Sequence, residues 1–99
     1  MQIQFWKTCE DGDVEVVRTL LQNEQININW QDYLGATPFY IACQNGHIEV
    51  VKLLLNDKRL SIRKKTDQGK TAFDIAKTNN HSEIIKLIKD FDTGNLLND

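Results

Sequence analysis

Asp32 to Leu55 reads DYLGATPFYIACQNGHIEVVKLLL, and the fold follows from how this stretch is punctuated. Thr37-Pro38 opens a helix, because threonine is a good N-cap and proline is preorganised for the first helical position. Asn45-Gly46 closes it, since glycine takes the left-handed conformation that ends helices. His47 restarts the chain at once, and Ile48 to Leu55 forms a second helix. Two short helices joined by a tight turn make one unit.

A shift of 34 residues maps this unit onto the rest of the chain. Forward, Gly35, Thr37, Phe39, Ile41, Ala42, Asn45, His47, Glu49, Lys52 and Leu53 recur at Gly69, Thr71, Phe73, Ile75, Ala76, Asn79, His81, Glu83, Lys86 and Leu87. Backward, Phe39, Cys43, Gly46, Glu49, Val50, Val51, Leu54, Leu55 and Ile62 meet Phe5, Cys9, Gly12, Glu15, Val16, Val17, Leu20, Leu21 and Ile28. Internal repetition at this period signals stacked repeats, each too small to bury its apolar face alone.

The pattern G-x-T-P-F-Y-x-A at 35–42, followed by N-G-H-x-E-V-V-x-L-L-L at 45–55, resembles an ankyrin repeat. The spacing is one residue longer than the usual period of about 33, and the loops NEQININ and DKRLSIR are where the insertion is tolerated. The resemblance implies an all-α solenoid of three stacked helix-turn-helix units with hairpin-like finger loops. A single domain over 1–91 is expected, with repeats at about 1–31, 32–65 and 66–91. Residues 92–99 (DTGNLLND) lack periodicity and read as a frayed tail. Helices are expected at 2–10, 13–22, 38–45, 48–56, 72–79 and 82–91. The side chains of Thr37 and Thr71 should cap theirs. Ile3 and Phe5 should point inward, and Val17, Leu21, Val51, Leu54, Ile85 and Ile88 should form the shared core. Ile26-Asn27-Ile28-Asn29 and Leu60-Ser61-Ile62-Arg63 alternate as short extended segments do.

The outer units depart from the middle one in different phases. Lys7, Thr8 and Thr19 stand where the middle unit has Ile41, Ala42 and Leu53, and Lys77, Ser82 and Lys89 replace Cys43, Ile48 and Leu55. Terminal repeats expose opposite faces to water, so these changes imply a domain with its own caps at both ends.

Bulk properties exclude several classes. A 99-residue chain, 40% hydrophobic, suits one small domain. Its net charge of −2 gives no general attraction to nucleic acid or anionic membrane. No apolar run approaches the ~20 residues of a membrane span, and MQIQFWKTCEDGD lacks the layout of a signal peptide. A cytoplasmic, reducing setting and a monomer are expected.

Chemical motifs are weak. Gly69-Lys70-Thr71 ends like a phosphate loop, but Lys64 occupies the place of its first glycine. His47 and His81 share a repeat phase away from Cys9 and Cys43, so no set of metal ligands converges. Neighbouring helices pack roughly 8–10 Å apart, whereas a disulfide needs α-carbons within about 7 Å. Both cysteines should therefore be free apolar fillers, and the histidines hydrogen-bonding fixtures between repeats. No nucleophile has an evident base partner. No enzyme activity, cofactor or metal is implied. Lys58-Arg59, Arg63-Lys64-Lys65 and Lys70 make a basic cluster that reads as a solvated loop, with docking of an acidic partner as the alternative. Asn29 lies where ankyrin proteins can be hydroxylated at a finger asparagine, with little support from this sequence.

The aromatic residues divide. Phe5, Phe39 and Phe73 keep the core phase, whereas Trp30 and Tyr33 lie on the first finger beside Leu34. Trp6 and Tyr40 share the next phase along the first helices. Trp6 alternatively shields the open end of the stack, and Tyr40 replaces the family's usual histidine at a half-buried position. Ankyrin proteins typically bind partners through finger tips and the concave first-helix face. Tryptophan and tyrosine are enriched at binding hot spots. The expected function is a non-catalytic protein–protein interaction module, the alternative a minimal structural or engineered scaffold with no dedicated partner. The expected contact residues are Trp30, Tyr33, Leu34, Trp6, Tyr40, Gln44, Lys64, Asp67 and Gln68, with Lys65 and Lys70 at the rim.

Overall fold

The computed structural model describes residues 1–98, with side chains described through Gly94. Its elements are α1 (Gln2–Asp11), α2 (Val14–Leu21), α3 (Pro38–Gln44), α4 (Ile48–Leu55), α5 (Ala72–Thr78) and α6 (Ser82–Asn98). Every boundary falls within one residue of its sequence expectation except the end of α6. The expected frayed tail from Asp92 is corrected: the backbone stays helical to Asn98, and Asp99 lies outside the described residues. Arg63 supplies one anchor, its guanidinium donating to the Asp92 carboxylate at 3.0 Å.

Capping chemistry sets the helix starts. Thr37 Oγ1 accepts from the Tyr40 N–H at 3.0 Å. Thr71 does the same for Asp74 at 3.2 Å, and the Asp74 carboxylate returns the favour to the Thr71 N–H at 2.9 Å, which completes a capping box. Asp13 caps α2 through the Val16 N–H.

The three pairs stack with α3 between α1 and α5, and α4 between α2 and α6. A buried core of Phe5, Cys9, Val17, Phe39, Ala42, Cys43, Val50, Val51, Leu54, Ala76, Ile84 and Ile88 runs through all three. Equivalent positions lose burial at opposite ends of the stack. Phe39 and Val51 are buried in the middle unit, but Phe73 and Ile85 are only half-buried, because no further repeat covers them among the described residues. At the other end Val50 is buried while Val16 is exposed, and Leu54 is buried while Leu20 is half-buried.

Three core expectations are corrected by this geometry. Ile85 is half-buried for the reason just given. Leu21 is half-buried because its phase, shared with Leu55 and Lys89, turns away from the core in every unit, whereas the Leu20 phase turns in. Ile3 is 68% exposed, since it stands at the position of the capping threonines and meets no neighbour. Thr8, one of the polar changes assigned to the water-facing end, is instead buried, its hydroxyl donating to the Gln4 carbonyl at 2.8 Å.

Ile26 and Ile28 are buried as their alternation implies, yet the backbone there runs as turns and not as an extended segment. The Ile26 N–H donates to the Asn23 carbonyl at 3.3 Å, and the Trp30 N–H to the Asn27 carbonyl at 3.3 Å. Among the described residues there is no strand.

Adjacent repeats are locked by a polar device that recurs. His47 Nε2 lies 2.7 Å from the Glu10 carbonyl oxygen, and His81 Nε2 lies 2.9 Å from that of Gln44. A carbonyl can only accept, so Nε2 carries the hydrogen in both rings. Asn45 and Asn79 donate to the same two carbonyls at 3.2 and 3.0 Å. The preceding unit makes room with glycine. A Cβ on Gly12 would lie 2.5 Å from the His47 ring, and one on Gly46 would lie 2.9 Å from His81.

Candidate partner-binding cleft

The first finger is a turn braced from within. Gly35 N–H donates to the Asp32 carbonyl at 2.9 Å, and Asp32 N–H to the Ala36 carbonyl at 2.9 Å. Asp32 Oδ1 accepts from the Leu34 and Ala36 N–H groups at 3.0 and 2.8 Å. The second finger presses against it closely enough to demand glycine at 35, where φ is +87° and a Cβ would lie 2.8 Å from the Asp67 nitrogen. The Asp67 N–H donates to the Leu34 carbonyl at 3.0 Å, and the Gln31 amide bridges the Gly35 and Lys65 carbonyls at 3.0 Å each. Asn29 ties the fingers nearer their base. Its amide nitrogen donates to the Arg59 carbonyl and its oxygen accepts from the Ser61 N–H, both at 2.8 Å.

This rigid backbone holds Tyr33 87% exposed and Leu34 57% exposed. Trp6 reaches the same place from α1, its indole N–H donating to the Ala36 carbonyl at 3.0 Å. That bond spans two repeats, so Trp6 braces the first finger while it packs against the core. The threonine cap of α3 starts the helix so that Tyr40, Ile41 and Gln44 border the same space. Together these groups line a cleft of about 410 Å³, bounded by Trp6, Asp32, Tyr33, Leu34, Ala36, Tyr40, Ile41, Gln44, Thr66, Asp67 and Gln68. Burial, with the Asp74 charge second, raises the Tyr40 phenol above its ordinary pKa.

The structure therefore brings Trp6, Tyr33, Leu34, Tyr40, Gln44, Asp67 and Gln68 to one cleft. It leaves two expected contact residues outside. Trp30 is half-buried and Lys64 exposed, and neither is part of the lining. The cleft accordingly gathers around Tyr33, Leu34 and Tyr40 and not around Trp30. Asp32, Thr66, Ala36 and Ile41 were not singled out from the sequence. The signal for Asp32 was available, since aspartate commonly accepts from the amide two residues on and so builds a turn.

The basic cluster also divides. Lys64, Lys65 and Lys70 are exposed. Arg59 is structural, contrary to its reading as part of a solvated loop. Its guanidinium donates to the Leu21 carbonyl at 2.7 Å and the Asn23 carbonyl at 3.0 Å, closing the C-terminal end of α2. It also pairs with Asp57 at 2.7 Å, and that hydrogen bond holds the Asp57 carboxyl below the usual carboxylate range. Cationic caps of this kind suit a helix C-terminus.

Cys9 and Cys43 are free and buried. Burial pushes the Cys9 thiol up to about 12 and the Cys43 thiol higher still. Among the described residues no three His, Cys, Asp or Glu side chains converge as metal ligands would, and no helix is long and apolar enough to cross a membrane.

Comparison with known proteins agrees with the architecture. A search of curated proteins finds no match. Among solved structures, a chain in the complex of the Bd0816 predatory endopeptidase from Bdellovibrio bacteriovorus with immunity protein Bd3460 superposes with a TM-score of 0.80 at 31% identity. The match covers 88% of this chain but 45% of that one, so the present sequence spans less than half of its neighbour. The family description "Ankyrin repeats (3 copies)" matches residues 5–96. That match takes in all three helix pairs, and the chain belongs to the ankyrin repeat family.

Proposed function

We propose that this chain is a non-catalytic protein-binding module whose partner docks in the cleft between the finger tips and the first helices. The observation that carries the reading is the exposure of Tyr33 and Leu34 at the mouth of a cleft backed by Trp6 and Tyr40. Contiguous apolar groups held in water by a rigid backbone are a feature of interaction sites, and aromatic anchors in a pocket supply most of the energy at such sites. Its structural neighbour occurs in a complex of two proteins, which supports the same reading. Burial of both thiols and the Nε2 hydrogen bonds from His47 and His81 to backbone carbonyls are consistent with structural roles for these residues.

Affinity capture on the immobilised chain, followed by hydrogen exchange on the recovered complex, tests this. Protection should appear at 33–41 and 66–68 when a partner is bound. Protection confined to α2, α4 and α6 would place the interface on the opposite side and refute the proposal.

A further inference from the structure

The cleft has a chemical character that specifies more than apolar contact. Three aromatic rings, Trp6, Tyr33 and Tyr40, share its lining with two carboxylates, Asp32 and Asp67, and no lysine, arginine or histidine is part of it. Asp32 spends Oδ1 on two backbone amides, while Oδ2 has no protein hydrogen bond among the described residues. Among the described residues Asp67 makes no side-chain hydrogen bond, and neither carboxylate belongs to an ion pair. The uncompensated charge in this cleft is negative.

We propose that the cleft receives the side chain of a single arginine of the partner protein, flanked by apolar residues. This rests on the reading of the cleft as the docking site and adds the chemistry of what enters it. Guanidinium is the cation best suited to such a lining. It is planar, stacks on aromatic faces, donates to carboxylates in a fixed fork and loses less hydration than an ammonium. Leu34, 57% exposed, supplies apolar surface for the neighbouring residues. The surrounding charge limits the partner to one cation. Lys64, Lys65 and Lys70 are exposed on the second finger, none is in an ion pair among the described residues, and a polybasic segment would meet them as it approached. Lys77 is directed over the Phe73 ring, 5.2 Å from its centroid.

Selection of displayed random peptides on the folded chain provides the test, with recovered sequences remade as free peptides for titration. Peptides carrying one arginine between apolar residues should be enriched. Asp32→Asn with Asp67→Asn should weaken their binding about tenfold, as loss of charge partners in a partly desolvated site does. Asparagine keeps the Oδ1 acceptor at 32, so the finger itself is preserved. Exchange of the peptide arginine for glutamine should give a similar loss, and binding should weaken as salt is raised. An acidic or purely apolar consensus that still depends on Tyr33 would overturn the arginine assignment and leave the docking site standing. Failure to enrich any peptide, or binding indifferent to Tyr33→Asp with Leu34→Gln, would overturn both.

Discussion

The two fingers share a backbone and differ in what they display. In the first, Gly35 N–H donates to the Asp32 carbonyl at 2.9 Å, and in the second Gly69 N–H donates to the Thr66 carbonyl at 2.8 Å. The closing bonds, Asp32 to Ala36 and Thr66 to Lys70, are both 2.9 Å. Even the side-chain brace recurs, from Asp32 to the Ala36 N–H and from Thr66 Oγ1 to the Lys70 N–H. At the tips, however, Tyr33 and Leu34 answer to Asp67 and Gln68. The turn is therefore compatible with a fully polar tip. An exposed tyrosine and leucine are unfavourable in water, and since the fold does not require them, their place at the cleft calls for a functional explanation.

If that division between framework and tip holds, framework substitutions are costly and tip substitutions are not. The largest effect is expected at Leu54, fully buried in the unit that has neighbours on both sides. Leu54→Ala should lose about 2–5 kcal/mol in chemical denaturation. A loss below about 1 kcal/mol would mean that the middle unit does not carry the stack.

Arg59 extends the framework beyond the apolar core. Replacing it with methionine removes the hydrogen bonds to Leu21 and Asn23 and leaves Asp57 only the backbone N–H of residue 59, at a cost of about 1.5–3 kcal/mol. The acid limb of stability should change with it. Asp57 titrates below its unfolded value in the folded chain, so its contribution is present above about pH 4 and is lost as pH falls through the depressed folded value. Stability curves against pH should show a steeper acid loss for the wild type than for Arg59→Met, and parallel curves would contradict the pairing.

A smaller effect is expected at the helix start behind the cleft. Thr37→Ala removes the acceptor for the Tyr40 N–H and should cost about 0.5–2 kcal/mol in thermal or chemical unfolding. Thr37→Ser, which keeps the hydroxyl, should recover most of it. A serine variant as unstable as the alanine one would show that the methyl group and not the cap is what matters there.

Repeat phase made the helices, the threonine caps and the histidine bridges legible, because each is a local pattern recurring at fixed spacing. Phase also separates two leucines side by side: Leu20 aligns with Leu54 and Ile88, whereas Leu21 aligns with Leu55 and the charged Lys89, so an expectation of burial at Leu21 runs against the repeat's own signal. Arg59 was opaque: its partners at Leu21 and Asn23 are backbone carbonyls, which carry no side-chain signature. In the cleft, the aromatic division identified Trp6, Tyr33 and Tyr40, but sequence distance hid the bond from Trp6 to Ala36, and Trp30 read as a tip residue although its ring lies half-buried. The helical backbone beyond Asp92 had no periodicity to announce it.

The smallest expected change in stability accompanies the most direct test. Tyr33→Asp with Leu34→Gln gives the first finger the tip of the second without touching any bond of the turn. The denaturation midpoint should correspond to a change within about 0.5 kcal/mol of wild type, as for other exposed substitutions, while partner capture on the immobilised chain is lost. A variant that unfolds more readily, or one that retains the same partners as the wild type, would contradict the claim that this tip serves binding and not folding.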